Sequence, residues 1–170
     1  MSVGKPENIG AITGAPLRVL HVLDHSIPLH SGYTFRSRSI LQQQRARGWE
    51  TYHLTGSKQG SKSAGHETVD GLLFHRTAPE SGMLSRLPVL NQKAVIDGLA
   101  ARLLPLAKEI KPDVIHAHSP VLNAVAALRV GRRLGIPVVY EIRAFWEDAA
   151  VDHGTSREWG LRYRLTRALE

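Results

Sequence analysis

LRVLHVLDHSIPLHSG, residues 17–32, predicts the fold class of this chain. Its first seven residues are an apolar run typical of a strand buried on both faces. A long polar turn containing Pro28 follows, and Gly32 directly precedes a helical pattern over residues 33–47 that Gly48 ends. A buried strand that leads through a loop into a helix is typical of a parallel α/β sheet, so the sequence predicts that class.

The same alternation of strands and helices continues along the chain. Strand patterns occupy residues 49–55, 72–76, 114–118 and 136–142, and helical patterns occupy residues 91–110, 120–134 and 156–170. The polar residues 56–69 predict a loop before the turn at Asp70-Gly71. This order predicts a mostly parallel sheet flanked by helices.

Specific residues are predicted to start two of the helices and to interrupt one of them. Asn91 is a candidate N-cap for the helix over residues 91–110, which Pro105 should kink or restart. Ser119 is the candidate N-cap of the next helix, and Pro120 suits its first position.

Composition limits the class of protein. The chain has 170 residues, of which 42% are hydrophobic, enough for one domain with a real core. It has no cysteine, which excludes disulfides and thiolate metal sites, and no apolar run approaches the roughly 18–20 residues of a membrane span. Residues 1–16 lack the apolar segment of a secretory signal and predict a flexible leader. The last helical pattern breaks off at Glu170 without a stop signal, which predicts that the natural chain continues.

The charge balance is basic. Lysine and arginine exceed aspartate and glutamate by 22 − 15 = 7, which favours nucleotide phosphates, anionic lipid headgroups or nucleic acid as partners. Between Ser31 and Ser63, Glu50 alone opposes a group of basic residues: Arg36, Arg38, Arg45, Arg47, Lys58 and Lys62. A solvated basic face kept for solubility is the alternative interpretation.

The predicted topology brings three polar segments together. Parallel sheets place their sites at the carboxyl ends of the strands, so residues 24–36, 116–120 and 141–148 should share one crevice. The first segment has neither a dinucleotide fingerprint nor a P-loop. Ser31-Gly32 at a helix start could hold a phosphate or carboxylate on free amides, with Arg36 adding a charged contact. An ordinary loop whose glycine only serves the turn is the alternative.

The other two segments supply histidines, acids and aromatics. His116 and His118 lie on one face of a strand, which is at most half a zinc shell, so hydrogen bonding to a hydroxyl-rich ligand or a structural role is preferred to metal binding. The stretch YEIRAFWEDAAVDHG, residues 140–154, alternates aromatic and charged side chains. That pattern suits sugar or nucleotide binding, and a packed loop with internal salt bridges is the alternative. The functional acid could be Glu141, Glu147 or Asp148.

These motifs, in this order, resemble a known family. LRVLHVLDHSIPLHSG, ARGWETYHLT, KPDVIHAHSP and IPVVYEIR together resemble the amino-terminal half of a retaining glycosyltransferase of the family-four, GT-B type, over residues 17–170. DHSIPLHSGYTFRSR and YEIRAFWEDAAVDHGT resemble more narrowly the enzymes of exosortase A (PEP-CTERM) exopolysaccharide systems. The resemblance implies a Rossmann-like acceptor-side domain over residues 17–170. A second domain, not included in this sequence, would hold the sugar nucleotide and carry two glutamates spaced eight residues apart, so this half alone should not transfer sugar.

The resemblance also implies site residues. Ser31-Gly32 matches the family's glycine-rich turn, with serine for the first glycine, and the H-x-H-x-P pattern matches His116, His118 and Pro120. Arg143 stands where the family often has a histidine; it cannot act as a general base, but it could orient a hydroxyl or stabilise charge on the leaving phosphate. The candidate catalytic residues are Arg143 and His118, and the candidate substrate-binding residues are Ser31, Gly32, Tyr33, Arg36, Glu141, Trp146 and Glu147.

The function implied is transfer of a hexose from a nucleoside diphosphate sugar to a lipid-linked glycan. We expect no metal or other cofactor, a location in the cytoplasm or at the inner face of the cytoplasmic membrane, and contact of the basic face with anionic lipid. A non-catalytic nucleotide- or phosphate-binding domain of the same fold is the alternative. A nucleic-acid binder is disfavoured, because no recognition motif accompanies the basic residues.

Overall fold

A computed structural model describes residues 14–60, 65–78 and 88–143 of the chain. The described strands are β1 (Arg18–Leu23), β2 (Glu50–Thr55), β3 (Gly65–Val69), β4 (Leu72–Arg76), β5 (Val114–His118) and β6 (Val138–Glu141). The described α-helices are α1 (Gly32–Ala46), α2 (Pro88–Ile110) and α3 (Val121–Leu134), with a short 3-10 helix at Ser57–Gln59.

The strands form one mostly parallel sheet, as predicted. Their order is β3-β4-β2-β1-β5-β6, and every neighbouring pair is parallel except β3 with β4. The register pairs His21 of β1 with His53 on one side and with His116 on the other. His118 of β5 pairs with Glu141 of β6, so the ends of these strands lie at one edge of the sheet.

Strand β3 lies inside the segment predicted to be a loop, so that part of the prediction was wrong. Gly65–Val69 pairs antiparallel with Leu72–Arg76 through a tight turn in which Asp70 and Gly71 have φ of 50° and 73°. No side chain of β3 is fully buried. Because β3 is an edge strand that faces solvent, its sequence lacks the apolar run that marks an interior strand.

The glycine stops of two helices were predicted correctly, whereas two features of α2 were not. Gly48 and Gly135 follow α1 and α3 with φ of 83° and 70°, the left-handed conformation that ends a helix without steric cost for glycine. Helix α2 begins before Asn91, so Asn91 is not its N-cap, and it continues unbroken through Pro105, so the predicted restart does not occur. Burial of the α2 residues on either side of that proline, including Leu103, favours the continuous helix.

The start of α3 also differs from the prediction. Pro120 is the N-cap residue rather than the first helical residue, and no side chain caps this end. The Ser119 hydroxyl instead accepts a hydrogen bond from the Arg143 backbone amide at 2.8 Å. Ser119 therefore connects the ends of β5 and β6 rather than capping a helix.

The two faces of the sheet have different cores. One face packs on α2 and α3 through an extensive apolar cluster that includes Leu20, Leu54 and Ile115. The opposite face, beneath α1, has a smaller apolar cluster around Leu23, Leu41 and Phe74. Buried polar side chains lie beside this smaller cluster, and several of them belong to the candidate functional site.

Candidate functional site

The loop from Asp24 to Ser31, called the lip below, joins β1 to α1. A hydrogen-bond network orders it: His25 Nδ1 lies 3.1 Å from Asp24 Oδ2, and His25 Nε2 lies 2.9 Å from Ser31 Oγ. Lys58 Nζ lies 3.3 Å from the other carboxylate oxygen of Asp24. The amide of Asp24 donates to the Tyr33 hydroxyl at 2.9 Å, so the lip is fastened to the first turn of α1.

Ser31 has a capping role at the start of α1. Its hydroxyl oxygen accepts from the Thr34 amide at 3.1 Å, which satisfies one of the free amides of the first turn. Gly32 does not have a positive φ, so its backbone conformation does not require glycine. A Cβ at Gly32 would meet nothing within 4 Å, which leaves the surface open to a close-approaching ligand.

Arg143, just after β6, reaches across to α1. Its Nη1 donates to the Tyr33 carbonyl oxygen at 3.1 Å and to Ser37 Oγ at 2.9 Å, and its Nη2 contacts His118 Nδ1 at very short distance. The guanidinium carbon lies 4.4 Å from the centroid of the Tyr33 ring, a cation–π arrangement. Only 6% of the Arg143 side chain is exposed, so these contacts hold the charged group in one place.

The Glu141 carboxylate is surrounded by arginine and histidine side chains. Its carboxylate is 2.8 Å from Arg36 Nη2 and 3.2 Å from Arg143 Nε. The ring nitrogens of His118 and His116 lie 2.9 Å and 3.4 Å away. Glu141 is therefore a carboxylate whose charge two arginines, Arg36 and Arg143, neutralise.

Behind these charges lie three stacked imidazoles. The ring centroid of His118 is 4.1 Å from that of His116 and 5.2 Å from that of His21. Burial lowers the pKa of His118 to about 4 and that of His21 well below its ordinary value. Both rings are therefore neutral at physiological pH, and they act as hydrogen-bonding groups rather than as charges.

The three histidines could hold a metal ion by distance alone, since ligand atoms from His21, His116 and His118 lie within 4.8 Å of one another. The charges nearby oppose this use. A cation would have to compete with Arg143, which already contacts His118, and with the arginine partners of Glu141. The arrangement fits an anionic or hydroxyl-rich ligand better than a metal.

The structure brings together seven of the predicted site residues: Ser31, Gly32, Tyr33, Arg36, His118, Glu141 and Arg143. Trp146 and Glu147, with the alternative acid Asp148, lie outside the described residues. His118 has no exposed surface, so it can act on a substrate only through Arg143 or Glu141.

Sequence reasoning missed two residues of this constellation, His21 and Gln44. His21 is a buried histidine within the apolar run of β1, and its Nε2 lies 2.8 Å from Gln44 Oε1 of α1. The available signal was a ring with polar atoms inside an otherwise apolar strand, since such a ring must find partners in the interior.

The basic stretch is largely engaged in internal contacts. Arg36 pairs with Glu141, Arg38 with Asp70 at 3.0 Å, and Lys58 with Asp24. Arg45 donates to Thr51 Oγ1 at 2.8 Å and to backbone carbonyls. Lys62 lies outside the described residues. Many side chains of the predicted basic face are therefore already engaged in contacts within the fold and the site, which leaves fewer of them for a partner.

This mostly parallel six-stranded sheet with its flanking helices is one half of a GT-B glycosyltransferase fold. The chain belongs to the glycosyl transferase 4-like domain family, whose model matches residues 31–170. A GDP-mannose-dependent alpha-mannosyltransferase of Mycobacterium tuberculosis is 26% identical over 123 residues, which are 72% of this chain and 31% of that protein. The chain thus spans about a third of the length of this relative.

Solved structures show the same fold. Sucrose-phosphate synthase of Thermosynechococcus elongatus superposes with a TM-score of 0.59 at 10% identity, over 90% of this chain and 40% of its own. The Streptomyces glycosyltransferase SsfS6, in its complex with thymidine diphosphate, superposes with a TM-score of 0.51 at 18% identity, over 76% of this chain and 39% of its own. Among the helices that the structure describes, none has both the length and the apolar character to cross a membrane.

Proposed function

We propose that this chain is the acceptor-side domain of a retaining glycosyltransferase that moves a hexose from a nucleoside diphosphate sugar to a lipid-linked glycan. The observation that carries the proposal is the pair Arg36 and Arg143, held by Glu141 beside the amino terminus of α1. Departure of a nucleoside diphosphate leaves negative charge, and fixed guanidinium groups and helix amides stabilise such charge.

The roles follow from what each group can do. Arg143 cannot remove a proton, so it stabilises charge on the leaving phosphate or orients a hydroxyl of the transferred hexose. Arg36 has 59% of its side chain exposed and can turn from Glu141 toward a ligand. Gly32 and Tyr33 offer backbone amides at the start of α1. No step of this scheme requires a metal.

The relatives support a nucleoside diphosphate hexose as donor. The mycobacterial relative is named for its use of GDP-mannose, and SsfS6 was solved with thymidine diphosphate. The carboxyl-terminal domain of the natural protein would hold most of this donor, and the proposed site would meet it when the two domains close. We further propose that the reaction belongs to exopolysaccharide synthesis of the exosortase-associated kind, on the resemblance of DHSIPLHSGYTFRSR and YEIRAFWEDAAVDHGT to enzymes of those systems.

A lipid-linked acceptor is the second part of the proposal. Leu29 and Phe35, at the lip and in the first turn of α1, are 42% and 47% exposed, although both are apolar. Exposed apolar side chains next to a basic site suit an acceptor with a phosphate and a lipid tail, met at the inner face of the cytoplasmic membrane.

The decisive experiment compares two proteins. The complete natural chain and residues 1–170 alone are incubated with labelled GDP-, UDP- and dTDP-hexoses and a bacterial lipid extract. We expect label in the lipid fraction with the complete protein and none with residues 1–170. A complete protein that binds a sugar nucleotide but transfers no sugar to any acceptor would favour the non-catalytic binding domain instead.

A further inference from the structure

A line of uncharged side chains leads from α1 to Arg143. Gln44 Oε1 lies 2.8 Å from His21 Nε2, and His21 Nδ1 lies 2.9 Å from His118 Nε2. His118 Nδ1 then contacts Arg143 Nη2. His21 and His118 are both fully buried, so neither ring can exchange these partners for water.

The line allows the protons to be assigned. A neutral imidazole donates from one nitrogen and accepts at the other. The Gln44 oxygen faces His21 Nε2, so that nitrogen donates and His21 Nδ1 accepts. His118 Nε2 must then donate to His21, which leaves a lone pair on His118 Nδ1.

That lone pair is what Arg143 requires. A guanidinium has donors and no acceptor, so Arg143 Nη2 can approach His118 Nδ1 only if that nitrogen carries no proton. In the other tautomer His118 Nδ1–H would donate to Glu141 Oε2, which is 2.9 Å away, and would oppose the Arg143 N–H. Glu141 Oε2 has another donor, because Arg143 Nη2 lies 3.4 Å from it as well as next to His118 Nδ1. Arg36 and Arg143 Nε pair with the other oxygen of the same carboxylate.

We propose that Gln44 and His21 are positioning residues that fix the tautomer of His118 and thereby hold the Arg143 guanidinium in its place at the site. They touch no substrate themselves. Their contribution to sugar transfer rests on the function proposed above, whereas the tautomer and the order of the Arg143 side chain do not. A remote amide on α1 thus controls the charged group of the site through two neutral rings.

The tautomer is measured directly on the 170-residue chain. Long-range ¹H–¹⁵N spectra at neutral pH report which nitrogen of each histidine carries the proton, with His118 and His21 assigned from His118→Gln and His21→Gln variants. We expect His118 and His21 both to be protonated at Nε2. A proton on His118 Nδ1 in the wild-type chain would overturn the proposal.

Two substitutions at position 44 test the control by Gln44. Gln44→Met removes the acceptor at similar volume, so His118 should become a mixture of tautomers, and the Arg143 Nε–H signal should broaden or shift. Gln44→Glu keeps an acceptor oxygen and should retain the wild-type pattern. Gln43→Met, the same change at an exposed position one residue away on α1, is the matched control. If Gln44→Met leaves both signals unchanged, Gln44 has no such role.

Transfer by the complete protein provides the second measurement. Gln44→Met should lower kcat by about ten- to a hundredfold with a smaller change in KM, since a misdirected catalytic group costs rate. Gln44→Glu should restore most of the loss. Failure of the proposed function would appear as no transfer by the wild type, while the spectra would still decide the tautomer and the order of Arg143.

Discussion

Arg143 Nη1 donates a hydrogen bond of 3.1 Å to the backbone carbonyl oxygen of Tyr33, although 110 residues separate the two in the chain. The same guanidinium lies over the Tyr33 ring. The end of β6 is therefore held against the first turn of α1, where we propose that a phosphate meets free amides. Fold and proposed site share this contact, which makes Arg143 the first residue to test.

Replacing Arg143 by alanine should reduce sugar transfer far more than it reduces stability. The change removes a fixed charge from the proposed leaving-group site, for which we expect a loss of about 100-fold or more in kcat. The free energy of unfolding should fall by only about 1–3 kcal/mol, because Arg36 still neutralises Glu141. Steady-state kinetics of the complete protein and urea denaturation measure the two effects.

Arg129→Ala is the control for that experiment. Arg129 forms an exposed ion pair with Asp97 on the helices that cover the opposite face of the sheet, so its loss should change neither rate nor stability by much. An Arg143→Ala protein with wild-type turnover would remove Arg143 from the site.

Two glycines should respond oppositely to alanine. A Cβ on Gly131 would lie 2.5 Å from a Val138 methyl group and 2.7 Å from the Ile136 carbonyl oxygen, so Gly131→Ala should cost about 1–3 kcal/mol of unfolding free energy. Gly32→Ala meets nothing and should leave stability unchanged or slightly higher. If a ligand approaches the Gly32 backbone closely, its Kd should nevertheless rise. Equal binding by Gly32→Ala and wild type would exclude that approach.

Stability should fall as the solution becomes acidic. Burial lowers the pKa of His53 and of His118 to about 4, whereas both groups titrate near 6.5 in the unfolded chain. Between these values the unfolded chain binds protons that the native state excludes, so the stability present above pH 6.5 is lost as the pH falls toward 4. The expected loss by pH 5 is about 1–2 kcal/mol for each ring.

Urea midpoints at pH 7 and pH 5 measure this slope. His53→Gln should flatten the slope, because one of the buried rings that exclude a proton is gone. His30→Gln, at an exposed position of the lip, should leave the slope as in the wild type. A midpoint that does not change with pH would contradict the neutral buried rings.

The lip depends on a second buried arginine. Arg76 Nη1 donates to Ser26 Oγ at 2.6 Å, its Nη2 donates to the Ile27 carbonyl oxygen at 2.9 Å, and Glu67 pairs with it at 2.7 Å. Arg76→Met should lower the unfolding free energy by about 3 kcal/mol, since it leaves buried acceptors unpaired. Thermal denaturation compares Arg76→Met with Arg129→Met, an arginine-to-methionine change at an exposed position. Equal melting temperatures of the two variants would contradict the role of Arg76 in anchoring the lip.

The interior strands were predictable because their sequences report burial directly. The apolar runs of β1 and β5 have side chains buried on both faces, and this produces continuous runs rather than alternation. β3 was missed because an exposed edge strand has no such pattern. Pro105 misled the prediction, since a local rule about proline was outweighed by the burial of α2 against the sheet and α3.

Much of the site was predictable from topology. The carboxyl ends of parallel strands lie at one edge of the sheet. His118, Glu141 and Arg143 could therefore be expected near the lip from the predicted topology alone. Their pairwise contacts could not be expected, because the choice of partner among several charges depends on distances of a few tenths of an ångström. His21 shows in the sequence as one polar ring inside an apolar run, but the sequence does not identify the partners of that ring.

The order of most helices and strands, and the family, could be predicted from the sequence, because apolar periodicity, glycine stops and short motifs are local properties. The contact of His21 with His118, 97 residues further along the chain, and the contact of Gln44 with His21 became evident from the three-dimensional structure. These contacts depend on the strand register and on how α1 packs on the sheet, which together fix the distances between side chains. A buried polar atom has no water within reach, so it must bond to the partner that this packing brings close.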